Sequence, residues 1–83
     1  MTKSLYSVLD LRSSIFANPF ISVNDMTALR DFGNAVNDLG TTLSKNPEDF
    51  QLYKIGSFDD VLGVITPCDR QLLANANTLV EVR

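Results

Sequence analysis

The run Asn-Pro-Glu-Asp-Phe-Gln-Leu-Tyr-Lys-Ile-Gly-Ser-Phe-Asp-Asp, from Asn46 to Asp60, constrains the fold more than any other stretch of the chain. Proline fixes φ and pushes its predecessor out of the α region, so Asn46-Pro47 starts a turn. Phe50 to Phe58 then has the aromatic and β-branched content of a strand lying between two layers. Asp59-Asp60 closes it, and Gly63 supplies the positive φ that a hairpin loop usually needs. Val64, Ile65 and Thr66 return as the hairpin partner, and Pro67 is expected to stop that strand.

Ser4 to Leu11 alternates as a first strand, with Leu5, Leu9 and Leu11 on one face and Tyr6, Val8 and Asp10 on the other. Arg12 to Ile21 mixes loop chemistry (Ser13-Ser14, Asn18-Pro19) with Ile15, Phe16, Phe20 and Ile21, which suits a crossing segment packed on the core or a subunit contact. Asn24 to Leu39 is an amphipathic helix, with Met26, Leu29, Phe32, Gly33, Val36 and Leu39 gathered on one face. Ser22 or Asn24 caps its start, Asp25 suits the positive end of the dipole, and Gly40 is expected to close it in the left-handed conformation. Gly33 costs about 1 kcal/mol relative to alanine, for which close approach of another element is the expected compensation. Thr41 to Lys45 is a polar connection anchored by Leu43; farther on, Leu72, Leu73 and Ala74 suggest a helical turn, and Leu79, Val80 and Val82 a short final strand. The expectation is one α+β domain over residues 1–83, a small, mostly antiparallel sheet in β-α-β-β order with one amphipathic helix packed on it.

Composition removes many functions. The 83 residues contain no histidine and one cysteine, Cys68, which excludes an intramolecular disulfide, Cys/His zinc sites and histidine-assisted nucleophiles. Glu48-Asp49 and Asp59-Asp60 match no calcium loop, and a metal-dependent nuclease would need Asp10, Asp49 and Asp59 to converge. No cofactor, metal or enzymatic activity is therefore expected. No apolar run is long enough for a membrane span and no signal peptide is read, so a cytoplasmic protein without membrane contact is expected. The net charge of −3 is mild, and Lys3, Arg12, Arg30, Lys45, Lys54, Arg70 and Arg83 are scattered singly, without the basic cluster of a protein held mainly by phosphates.

Seven aromatics remain to be explained: Tyr6, Phe16, Phe20, Phe32, Phe50, Tyr53 and Phe58. Core packing accounts for most such residues, but aromatics on a sheet face also stack unpaired bases. Tyr6 and Tyr53 are the candidates because their hydroxyls keep one end at solvent, with Lys54 and Arg12 nearby to meet phosphates. Arg30, beside Asp31 and Asn34 on the polar helix face, is a further candidate for a partner or a phosphate; a solvated helix face explains it equally well.

The motif Asn-Pro-Glu-Asp-Phe-x-Leu-Tyr-x-Ile-Gly-x-Phe-Asp-Asp resembles that of the small nonstructural protein of microviruses, the single-stranded DNA phages of the gokushovirus type. Asn18-Pro19-Phe20, Ala28-Leu29-Arg30-Asp31-Phe32 and Ala35-Val36-Asn37-Asp38 are similar to that family's proline-phenylalanine segment and helix. The likeness covers about residues 5 to 66. Where that family commonly has a histidine before the proline this chain has Asn46, so no role rests on an imidazole there. The resemblance implies an accessory protein made in the cytoplasm of the infected bacterium. It implies a role in single-stranded DNA synthesis or packaging, through phage or host replication or packaging proteins or through single-stranded DNA itself. The acidic balance favours protein contacts over coating of DNA, and so short a chain gains from a homodimer that covers apolar surface.

Overall fold

The computed structural model describes residues 1–81. Five antiparallel strands form one sheet: β1 (Thr2–Asp10), β2 (Ile15–Phe16), β3 (Phe20–Ser22), β4 (Phe50–Asp59) and β5 (Val64–Asn75). Their order is β2-β1-β4-β5, with β3 also pairing along the outer edge of β1. The crossing segment is thus two short strands: Phe16 lies opposite Leu9, and Ile21 opposite Leu5. One face of the sheet is covered by helix α1 (Asp25–Asn37), followed by the single turn α2 (Thr42–Lys45) and a 3₁₀ turn at Pro47–Asp49. The other face is open. The α+β class and the main β-α-β-β order are as expected from sequence.

Helix α1 begins where its chemistry says it should. Asn24 stands in extended backbone and its side chain accepts from Thr27 N at 2.8 Å, with Asp25 in the first turn. The buried stripe is Ala28, Phe32 and Val36, spaced by four, rather than the wider face expected: Met26 is 80% exposed and Leu39 lies beyond the helix at 70%. Helix α1 ends at Asp38 rather than at a left-handed Gly40; Thr41 Oγ1 donates to Ala35 O (2.7 Å) and Asp38 O (2.8 Å), satisfying carbonyls that a glycine cap would otherwise serve. No element approaches Gly33 closely, since a Cβ built there meets nothing within 4 Å.

The core lies between α1 and the sheet, formed by Tyr6, Ala28, Phe32, Val36, Leu52 and Ala76, with Val8, Phe20, Leu43 and Phe50 packed at its margin. Tyr6 and Phe20 stack at 5.6 Å between ring centroids.

The hairpin between β4 and β5 closes as expected. Gly63 takes φ +67, its N–H donates to Asp59 O, and Asp59 Oδ1 accepts from Val61 N and Leu62 N. Pro67 does not stop β5, which continues to Asn75. An edge strand tolerates proline because one side of its backbone has no ladder to supply, and β5 is an edge. Leu72 to Ala74 therefore belong to a strand rather than a helical turn, and Ala76–Leu79 is a 3₁₀ turn rather than the start of a final strand. Val82 lies outside the described residues.

Candidate functional site on the open sheet face

The ladders of β4 are irregular at three places, one toward β1 and two toward β5, the second of the latter between Leu52 and Tyr53. In the β1–β4 ladder Leu5 pairs with Gly56 and Tyr6 with Lys54, so Ile55 is an extra residue and the alternation of β4 inverts across it. Phe50, Leu52 and Lys54 face the helix; Tyr53, Gly56 and Phe58 face away. In the β4–β5 ladder Gly56 pairs with Pro67 and Lys54 with Gln71, so Cys68, Asp69 and Arg70 lie opposite the single residue Ile55. Leu72 pairs with Tyr53, and Arg70, two residues before it, shares its face and stands beside Tyr53.

There the guanidinium carbon of Arg70 stands 5.2 Å from the ring centroids of both Phe16 and Tyr53, whose rings meet edge to face at 5.7 Å. Each such cation–π contact contributes about 0.5–1 kcal/mol at an exposed site. The Tyr53 hydroxyl donates to Gln51 Oε1 at 3.1 Å, and Gln51 Nε2 donates to Asn75 Oδ1 at 2.8 Å, which fixes the phenol against the sheet. Beneath, buried Ser7 donates to Ala17 O at 2.7 Å and ties down the segment after Phe16. Among the described residues no carboxylate lies within ion-pair distance of Arg70. The result is a π-rich platform with an uncompensated positive charge, suited to a flat or anionic group.

The five residues singled out from sequence do not converge here. Tyr53 belongs to the platform. Tyr6 is in the core with 0% exposure, so the expectation of a solvent-facing hydroxyl is corrected: it donates to Asp25 Oδ1 at 2.7 Å. Burial pushes the Tyr6 phenol above its ordinary pKa, and the hydrogen bond and charge of Asp25 push the same way. Lys54, adjacent to Tyr53 in sequence, points to the helix side, with Nζ 3.8 Å from Asp25 Oδ1. Arg30 is on the outer helix surface, its Nε 3.6 Å from Asp31 Oδ1. Arg12 sits in the turn after β1 among Asp10, Glu48 and Asp49. Of the carboxylates, Asp49 and Asp59 stand at opposite ends of β4, about 30 Å apart at the usual rise of ~3.3 Å per residue.

Phe16 and Arg70 were not selected by sequence reasoning. Phe16 was one aromatic among several, and ending β5 at Pro67 left Arg70 without a neighbour. Asp69-Arg70-Gln71 is polar throughout and Leu72-Leu73-Ala74 apolar throughout, so no alternation marks this stretch as a strand past the proline.

The geometry defines a small α+β domain with one helix layered on an antiparallel sheet whose second face carries a cation–aromatic platform. The chain belongs to the phage ORF5 protein family, which it matches over residues 3–79. It is a phage protein. No curated protein and no solved structure matches the chain. Among the described residues no helix is long and apolar enough to cross a membrane.

Proposed function

We propose that this is a nonstructural accessory protein of a microvirus-type phage, a binding module without catalytic activity. It acts in the host cytoplasm during single-stranded DNA synthesis or packaging, and its DNA-contacting surface is the open sheet face. The observation that carries this reading is Arg70, set over Phe16 and Tyr53 without a carboxylate partner among the described residues. Unpaired bases stack on aromatic rings and on guanidinium planes whatever their identity, so the platform suits sequence-independent contact with single-stranded DNA. Tyr53 is the one residue of the sequence-based set that takes part; Tyr6, Arg12, Arg30 and Lys54 are assigned no DNA contact.

The experiment is fluorescence anisotropy of a labelled single-stranded oligonucleotide at low and physiological salt. Saturable binding, weakened about tenfold or more by Tyr53→Ala or Arg70→Ala, is expected, each stacked base contributing about 1–3 kcal/mol. Absence of binding at low salt, where weak phosphate contacts register most strongly, would remove DNA as the ligand.

A second reading, contact with phage or host replication or packaging proteins, is favoured by the exposed apolar end of the hairpin, where Val61, Leu62, Val64 and Ile65 cluster in sequence. Recovery of such a protein from infected cells by the wild type, lost on Leu62→Ser, supports it. A homodimer through the open face belongs to the same reading; light scattering that shows only monomer at high micromolar concentration removes it.

A further inference from the structure

We propose that the cleft between the β1 edge and the two helices is a docking groove for a basic, amphipathic segment of a partner protein. This surface borders the open sheet face at Phe16, which lines the first lobe and also carries Arg70 over its ring. It has two apolar lobes, of about 380 and 300 Å³, which share Val8 and Leu43. Phe50 and Ile15 wall the first, Phe20 and Phe32 the second. The cleft exists because the outer edge of β1 is covered only by the short strands β2 and β3, while Leu43 of α2 reaches across from the helical layer. Ile15 at its mouth is 65% exposed, large for an isoleucine in so small a domain.

The occupant follows from charge. A third, polar lobe of about 320 Å³ continues the groove past Asp10 and Phe50, lined by Arg12, Glu48 and Asp49. Across the three lobes the lining carboxylates are Asp10, Asp31, Glu48 and Asp49, against the single guanidinium of Arg12. Asp31 lies 3.6 Å from Arg30 Nε, so the groove keeps an excess of two negative charges, from Asp10, Glu48 and Asp49 against Arg12. An acidic rim around apolar pockets repels nucleic acid and selects a cationic polypeptide, and two pockets divided by Val8 and Leu43 accept two neighbouring apolar side chains of one segment. The protein would then hold DNA on the open sheet face and a basic partner in the groove that begins beside it at Phe16.

The test uses the full chain, isotope-labelled, titrated with a synthetic 14-residue helix-forming peptide bearing leucines at i and i+4 and lysines elsewhere. An analogue with glutamate for every lysine is the control. The lysine peptide is expected to shift the amides of Val8, Ala17, Leu43 and Phe50 saturably, and those of Tyr53 and Arg70, which meet the groove only through Phe16, by less. Asp10→Asn with Glu48→Gln and Asp49→Asn should weaken it about tenfold, as loss of rim charges does. The Asp10→Asn change keeps a side-chain oxygen to accept the 2.9 Å bond from Arg12 N, so the turn survives in that variant. Ile15→Ser, a change at an exposed position, should weaken it several-fold with an unchanged melting temperature. Equal binding of the glutamate peptide, undiminished binding by the triple variant, or shifts confined to the open face would each overturn the proposal. So would a concentration-dependent shift of the same groove amides without peptide, which would identify a second copy as the occupant.

Discussion

Gly56→Ala tests how closely β5 approaches β4 at the bulge. Gly56 lies opposite Pro67, and a Cβ built on it would stand 2.6 Å from the Thr66 carbonyl oxygen and 3.3 Å from Pro67 Cα. Both obstacles are backbone, so no side-chain rotation relieves them. Restoring ordinary van der Waals separation, which begins at 3.4 Å, requires β5 to retreat from β4 by roughly 0.8 Å. Such overpacking costs about 1–3 kcal/mol, while alanine returns about 0.4–1 kcal/mol by restricting the unfolded chain. The expected net loss is about 1–2 kcal/mol, read as a lower urea midpoint at unchanged m-value, or as a melting temperature lower by about 5–15 °C for a domain of this size. Gly33→Ala is the internal control. Its Cβ has open space, so the same substitution in mid-helix should gain up to about 1 kcal/mol. A Gly56→Ala protein as stable as wild type would refute the close approach of β5 at Thr66 and Pro67.

Three further outcomes are expected. Asn37 donates to Gly33 O and Leu79 O, both at 2.9 Å, and accepts from Glu81 N at 2.8 Å; Asn37→Ala should cost about 1–3 kcal/mol and speed hydrogen exchange at the Glu81 amide. Tyr6 has a raised folded-state pKa, so its contribution to stability is complete below the unfolded value of about 10 and is lost as pH rises through the folded one. Urea midpoints should fall above pH 10 less steeply in Tyr6→Phe than in wild type, and equal slopes would contradict this. Ser14 holds φ +60, and Ser14→Gly should raise stability by about 0.5–1 kcal/mol in thermal melts, because the strain relieved exceeds the added unfolded-state entropy.

Where local chemistry decides a structure the sequence was legible. Asn24 caps α1 and Gly63 turns the hairpin for reasons contained within a few residues. Distant pairing was not visible. Met26 fits the apolar spacing of α1 but falls on the N-terminal turn beyond the sheet's cover, and Gly40 lost its capping role to the Thr41 hydroxyl. Tyr6 and Tyr53 look alike in sequence. One is sealed between helix and sheet with its hydroxyl on Asp25, and the other lies on the open face, a difference set wholly by which side of the sheet the helix covers.

The central strand shows why the candidate site in particular was hidden. A strict period of two would put Phe50, Leu52, Lys54, Gly56 and Phe58 on one face, giving a strand whose aromatic ends share a layer. With Ile55 bulged, Phe50 stays with the core while Phe58 turns outward, and this is why the run reads as apolar on both sides. In β5 the same position is met by three residues, Cys68, Asp69 and Arg70, beyond which Gln71 pairs with Lys54 and Leu72 with Tyr53. A bulge beside a proline also blunts an exposed edge against pairing with another chain. The distortion therefore protects the β5 edge rather than building the platform. Removal of Cys68 and Asp69 together, which would pair Arg70 with Ile55 and keep Leu72 opposite Tyr53, should retain oligonucleotide binding while making the edge more prone to association. Loss of binding by a folded deletion variant would refute this register.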